Sequence, residues 1–116
     1  MSRWGDILKA RAERDGGMGP WGEWQGVPGT AAVQVRVRRS HPSPQGVSYR
    51  WGYQFRSVLP RPLSFEFRLG MVRDGPFDQV VRGLEPGRVV SGTVVLPTAG
   101  PIWVDARLLP DRPVSR

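Results

Sequence analysis

Apolar and polar residues alternate strictly along two stretches near the middle of the chain. Val47, Tyr49, Trp51, Tyr53 and Phe55 fall in one phase, with Ser48, Arg50, Gly52, Gln54 and Arg56 in the other. Leu63, Phe65, Phe67 and Leu69 repeat the pattern against Ser64, Glu66 and Arg68. Only an extended strand sends successive side chains to opposite faces. Joined by Leu59-Pro60-Arg61-Pro62, the two runs read as an antiparallel hairpin with a buried aromatic face and an open face carrying arginines.

The rest of the chain extends the pattern. Val33, Val35 and Val37 alternate with Gln34, Arg36 and Arg38, predicting an earlier strand within a β region that starts at Thr30. After strands over 47–58 and 63–72, the pair Asp74-Gly75 signals a tight turn. Short strands over 77–82, 88–96 and 102–109 follow, divided by Leu84-Glu85-Pro86-Gly87 and by the segment 97–101. Six strands about a dozen residues apart, with no helix between them, predict an all-β antiparallel sandwich or small barrel. The aromatic content of strand 47–58 and the irregular turn lengths favour a sandwich of six to seven strands.

The ends read differently. Asp6 is placed to cap a short helix over 7–14 that stops at Gly16-Gly17. The glycine-rich run that follows carries Trp21 and Trp24, which read as a clamp on the domain or a ragged edge strand, or else as an exposed pair for stacking on a ligand. This divides the chain into an arm (1–29), a β domain (30–109) and a tail (110–116).

Composition narrows the function. A chain of 116 residues makes one domain. With no cysteine, disulfides, thiolate metal sites and a cysteine nucleophile are excluded. No apolar run approaches membrane-spanning length, and residues 1–17 lack the apolar core of a secretory leader. The expectation is a cytoplasmic protein if the sequence is complete, and an exported one if a leader has been removed. Net charge is +7, and Lys9 is the only lysine among the 17 basic residues. Coding bias in a GC-rich genome accounts for such a preference. So does an anionic partner, since the guanidinium fork grips phosphate and carboxylate bidentately.

The second half also carries a resemblance. Phe65 to Leu69, Asp74-Gly75, Leu84-Glu85-Pro86-Gly87 and Gly100 to Ala106 fall in an order that resembles bacterial immunoglobulin-like or fibronectin-III-like β-sandwich modules, especially those appended to exported proteins. The resemblance spans residues 47–109. It implies an immunoglobulin-like sandwich and a binding or spacing role without chemistry. The Cys-Trp-Cys arrangement of antibody domains is missing.

Catalytic candidates are few. His41 is the only histidine and lies in a proline-rich loop, no serine sits in a nucleophile elbow, and no phosphate-loop or metal-ligand spacing occurs. Asp105 reads as a surface partner of Arg107. The expectation is therefore no enzyme, no metal and no cofactor.

The binding candidates are Arg36, Arg38, Arg50, Arg56 and Arg68, all in the polar phase of three successive strands. Between residues 30 and 70 stand seven arginines and one acid, Glu66. If the strands are neighbours, these side chains cluster and steer anions in a salt-dependent way. Trp103 is the other candidate, pointing outward beside Asp105 and Arg107, either for stacking on a sugar or base or for burial beneath the arm. The sequence thus reads as a non-enzymatic binding or assembly module acting through an arginine-rich sheet face on a protein or anionic polymer. Two other readings stay open: an OB-like barrel for single-stranded nucleic acid, and a carbohydrate-binding module using Trp103 and Asp105. The first is weakened because Tyr49, Trp51, Tyr53 and Phe55 fall in the buried phase.

Overall fold

A computed structural model describes residues 17–73 and 75–110. The helix expected over 7–14, Asp74 of the tight turn and nearly all of the tail lie outside the described residues. Seven strands form: β1 (Gln25–Val27), β2 (Thr30–Pro42), β3 (Tyr49–Ser57), β4 (Leu63–Gly70), β5 (Gln79–Leu84), β6 (Val89–Leu96) and β7 (Trp103–Leu108). They make two antiparallel sheets, ordered β1-β2-β3-β6 and β5-β4-β7. The all-β sandwich is as the alternation predicts, and the six expected strands appear with their ends shifted by a few residues. No described helix is long and apolar enough to cross a membrane.

The central pairing differs from the expectation. β3 and β4 are not a hairpin: β3 pairs with β2 and β6, whereas β4 pairs with β5 and β7. The reason lies in the turn and in the phases. Pro60 and Pro62 lack the N–H groups that a ladder needs. Two strands that each carry a row of aromatics bury both rows best by facing one another across the sandwich. Phe55 of β3 and Phe67 of β4 meet with ring centroids 4.5 Å apart, and Phe65 lies 5.4 Å from Phe55. Phe55, Phe65 and Val33 are fully buried at the centre, with Val27, Val35, Leu63, Phe67, Val81, Leu84 and Ala106 around them. Burying each phenyl ring contributes roughly 1.5–3 kcal/mol.

The expected inward phase holds along most of β3. Val47 is the departure, being 64% exposed in the loop before the strand. Trp51 leaves the central cluster and packs at the end of the sandwich, where its indole N–H donates to the Thr98 carbonyl at 3.0 Å.

At the opposite side the β1–β2 turn closes the gap between the sheets. The Ala106 N–H donates to the Pro28 carbonyl at 3.2 Å. Gly29 has φ +102°, and a Cβ on it would lie 2.2 Å from the Ala106 carbonyl oxygen. Only glycine tolerates both that backbone and that approach.

From Met18 on, the described part of the arm pairs with the domain. Met18 bridges to Ser40, Gly19 N–H donates to the Arg39 carbonyl, and Gly22 N–H to the Val37 carbonyl. From Met18 to Val27 the chain runs antiparallel along β2 as a ragged edge strand.

Candidate functional site

The outer face of the four-stranded sheet is built by register. Gln34 stands opposite Arg56, Arg36 opposite Gln54, and Arg38 opposite Gly52. Four of the expected arginines, Arg36, Arg38, Arg50 and Arg56, are thus brought to this face by β2 and β3. Arg68 is not, because β4 belongs to the other sheet. Arg39 also belongs elsewhere: it pairs with Trp51 in the inward phase, lies over the Tyr49 ring and donates to the Ala99 carbonyl at 2.8 Å.

The face expected to be open is instead partly roofed by the arm. Met18 seats over Gly52, where a Cβ would come within 3.2 Å of the Met18 methyl. Its sulfur accepts from Arg50 Nε at 3.4 Å. The Trp21 ring takes Arg38 at 4.5 Å and Arg36 at 5.1 Å from its centroid. The Trp24 ring takes Arg56 at 4.2 Å and Arg36 at 4.7 Å. The two tryptophans therefore clamp the arm through the arginines themselves.

Polar partners fix the same guanidiniums from below. Arg36 Nε donates to Gln54 Oε1 at 2.7 Å, and Arg56 Nε to Gln34 Oε1 at 2.9 Å. These acceptors are neutral amides, so Arg36 and Arg56 are oriented without losing their charge.

The outer face of the three-stranded sheet is arranged otherwise. Arg68 reaches Asp105 through Nε at 2.9 Å and Nη2 at 2.7 Å, and Arg68 Nη1 donates to the Gly75 carbonyl. Arg107 contacts Glu66 through Nε at 2.9 Å and Nη2 at 2.5 Å. Phe77 lies between the two guanidiniums, 4.4 Å from Arg68 and 4.8 Å from Arg107. Asp105 thus pairs across the ladder with Arg68, not along its own strand with Arg107. Cross-strand neighbours on one face stand closer than residues two apart on a strand.

Trp103 faces outward on β7, as its phase requires, but the arm's tryptophans do not cover it. Arg73 stacks over its ring at 4.7 Å, leaving it 37% exposed. It borders a cleft of about 330 Å³ shared with Pro28, Arg73, Phe77 and Asp105. His41 is exposed near the end of β2, within the register shift between Arg39 and Pro42, and not in the loop expected for it. No three His, Asp or Glu side chains gather as a metal-binding group among the described residues.

Among the described residues, one ionisable group is clearly perturbed. The Tyr53 phenol is pushed above its ordinary value of 10.0 by partial burial and, secondarily, by the Asp78 carboxylate.

The sequence reading missed the two interleaved glutamines and the reach of the arm. Gln34 and Gln54 were visible as polar-phase neighbours of the arginines. Their pairing depends on the β2–β3 register, which no residue count reveals.

Comparisons with protein-family models, with curated proteins and with solved structures gave no match.

Proposed function

We propose that this domain is a non-enzymatic binding module that takes an anionic polymer on the outer face of its four-stranded sheet. The observation that carries the reading is the pair Arg36 and Arg56. Both are held in place by glutamine and indole, and no carboxylate neutralises either of them among the described residues. A preoriented guanidinium loses less rotamer freedom on meeting a phosphate, sulfate or carboxylate. The charge is retained for long-range steering.

The strand order supports kinship with immunoglobulin-like modules. With β2, β3 and β6 taken as strands A, B and E, and β4 and β7 as C and F, the neighbours A-B-E and C-F match that fold. β5 then pairs with C, and no strand G is present among the described residues.

The competing readings draw less support. The ladders form two separate sheets, not the closed barrel of an OB fold. Of the proposed sugar-binding pair, Asp105 is already engaged by Arg68 and the Trp103 ring carries Arg73.

The test is a nitrogen-15 NMR titration at low ionic strength with oligothymidylate, a heparin oligosaccharide and a neutral cello-oligosaccharide. The expected result is movement of the Arg36 and Arg56 Nε–H signals and the Trp21 and Trp24 indole signals with the anions alone. Movement centred on Trp103 with the neutral sugar would overturn the reading in favour of a carbohydrate module.

A further inference from the structure

The free edge of β6 is unusual for an edge strand. Residues 89–96, VVSGTVVL, contain no charge and no proline, and no described strand pairs with the side of β6 away from β3. Unpaired edges are ordinarily protected by shortness, charge, bulges or cover. The other described edges show such protection. The edge segment from Met18 to Val27 is ragged, with only the three residues of β1 in regular pairing; β5 carries Arg82 with Gly83 at positive φ, and β7 is met by the Pro28 carbonyl. β6 is eight residues long and shows none of these among the described residues.

Its sequence is also a near-palindrome about Gly92: Val-Val-Ser-Gly-Thr-Val-Val over 89–95. Residues directly opposite in an antiparallel pair point to the same face. A two-fold axis at Gly92 would therefore oppose Val89 to Val95 and Ser91 to Thr93 on the outer face, and Val90 to Val94 on the inner face. Apolar meets apolar and hydroxyl meets hydroxyl at every position. Val89 and Val95 are 46% and 64% exposed, so apolar surface remains there for a partner to cover.

We infer that β6 is a self-pairing edge, through which two copies of the chain join antiparallel about Gly92 into one eight-stranded sheet. Net charge of +7 per copy opposes association in general but acts weakly here. Arg56 and Arg50 stand beside Val89 and Val95 on β3. Across the joint, Arg56 of one copy and Arg50 of the other would be three strand spacings apart, about 14 Å. That exceeds the screening length at physiological salt, about 8 Å. The axis is perpendicular to the sheet, so both arginine faces look the same way and form one basic surface of doubled length. The dimer itself does not depend on what that surface binds.

Sedimentation equilibrium from low micromolar to near-millimolar protein tests the inference. The mass should rise from 12.9 kDa toward twice that value. Ser91 and Thr93 are exposed, so their substitution tests the joint without disturbing the core. In S91K/T93K each lysine faces another across the axis, and the dimer should be lost with the circular dichroism spectrum unchanged. In S91E/T93K each glutamate faces a lysine of the other copy, and the dimer should return. A wild-type chain that stays monomeric throughout would overturn the inference. So would a dimer that survives S91K/T93K, or one that S91E/T93K fails to restore.

Discussion

Each outer face of the sandwich holds an aromatic ring between two guanidiniums. On the four-stranded sheet the ring is Trp24, between Arg36 and Arg56. On the three-stranded sheet it is Phe77, between Arg68 and Arg107. The ring-to-guanidinium distances span 4.2 to 4.8 Å in both. What differs is the hydrogen-bond acceptor. Gln54 and Gln34 serve the first pair, Asp105 and Glu66 the second. One cluster keeps two positive charges and the other keeps none. The same packing device therefore leaves a surface poised for an anion on one side and a self-satisfied surface on the other.

Substitutions that separate the two clusters sharpen this contrast. The largest expected effect on stability is that of Trp24→Ala, which removes two cation–π contacts and frees the arm. Such contacts are worth about 0.5–1 kcal/mol each when exposed and more when desolvated, so a loss of about 2 kcal/mol is expected by urea denaturation. Phe77→Ala should lose about half as much, because the carboxylates still hold both guanidiniums. Equal losses would mean that the glutamines hold their arginines as firmly as the carboxylates do.

Next comes Asp105→Asn. Arg68 and Asp105 have side chains only 19% and 22% exposed, so a guanidinium left without its counter-charge is poorly compensated by water. A loss of about 1–2 kcal/mol is expected in the same measurement. Glu66→Gln should be milder, below about 1 kcal/mol, since the Arg107 side chain is 64% exposed and water takes over. A reversed order would show that burial is not what sets the strength of these pairs.

The smallest effect concerns pH. Tyr53 has a raised folded pKa, so the folded state holds its phenolic proton more tightly than the unfolded chain. That contribution is complete below the ordinary value of 10.0 and is lost as pH rises through the folded value. Melting temperatures should accordingly decline above pH 10, and Tyr53→Phe should make the decline shallower. An identical slope in the variant would assign the alkaline loss to other groups.

Much of the fold was legible in the sequence because period-two alternation reports which side of a strand is buried. Phe55, Phe65 and Phe67 were readable as core for that reason. The partnering of strands was not, since alternation is the same whether β3 and β4 lie side by side or face to face. That ambiguity also misplaced Arg68, whose polar phase was read correctly and whose sheet was not. The site was legible only in outline. Arg36, Arg38, Arg50 and Arg56 could be grouped by phase, but the seat for Met18 over Gly52 and the stacking of Trp21 and Trp24 depend on where a glycine-rich arm travels. No periodicity encodes that path.

The central claim is that charge is available on one face and neutralised on the other, and paired double variants test it most directly. R36Q/R56Q and R68Q/R107Q each lower the formal net charge from +7 to +5. Binding of oligothymidylate is measured for each at several salt concentrations. In single-strand binding each neutralised phosphate contributes about −0.7 to the slope of log K against log salt. The account predicts at least a tenfold loss of low-salt affinity and a slope shallower by about 1.4 for R36Q/R56Q. It predicts near wild-type values for R68Q/R107Q. Equal losses in the two variants, or no binding by the wild-type chain at low salt, would contradict it.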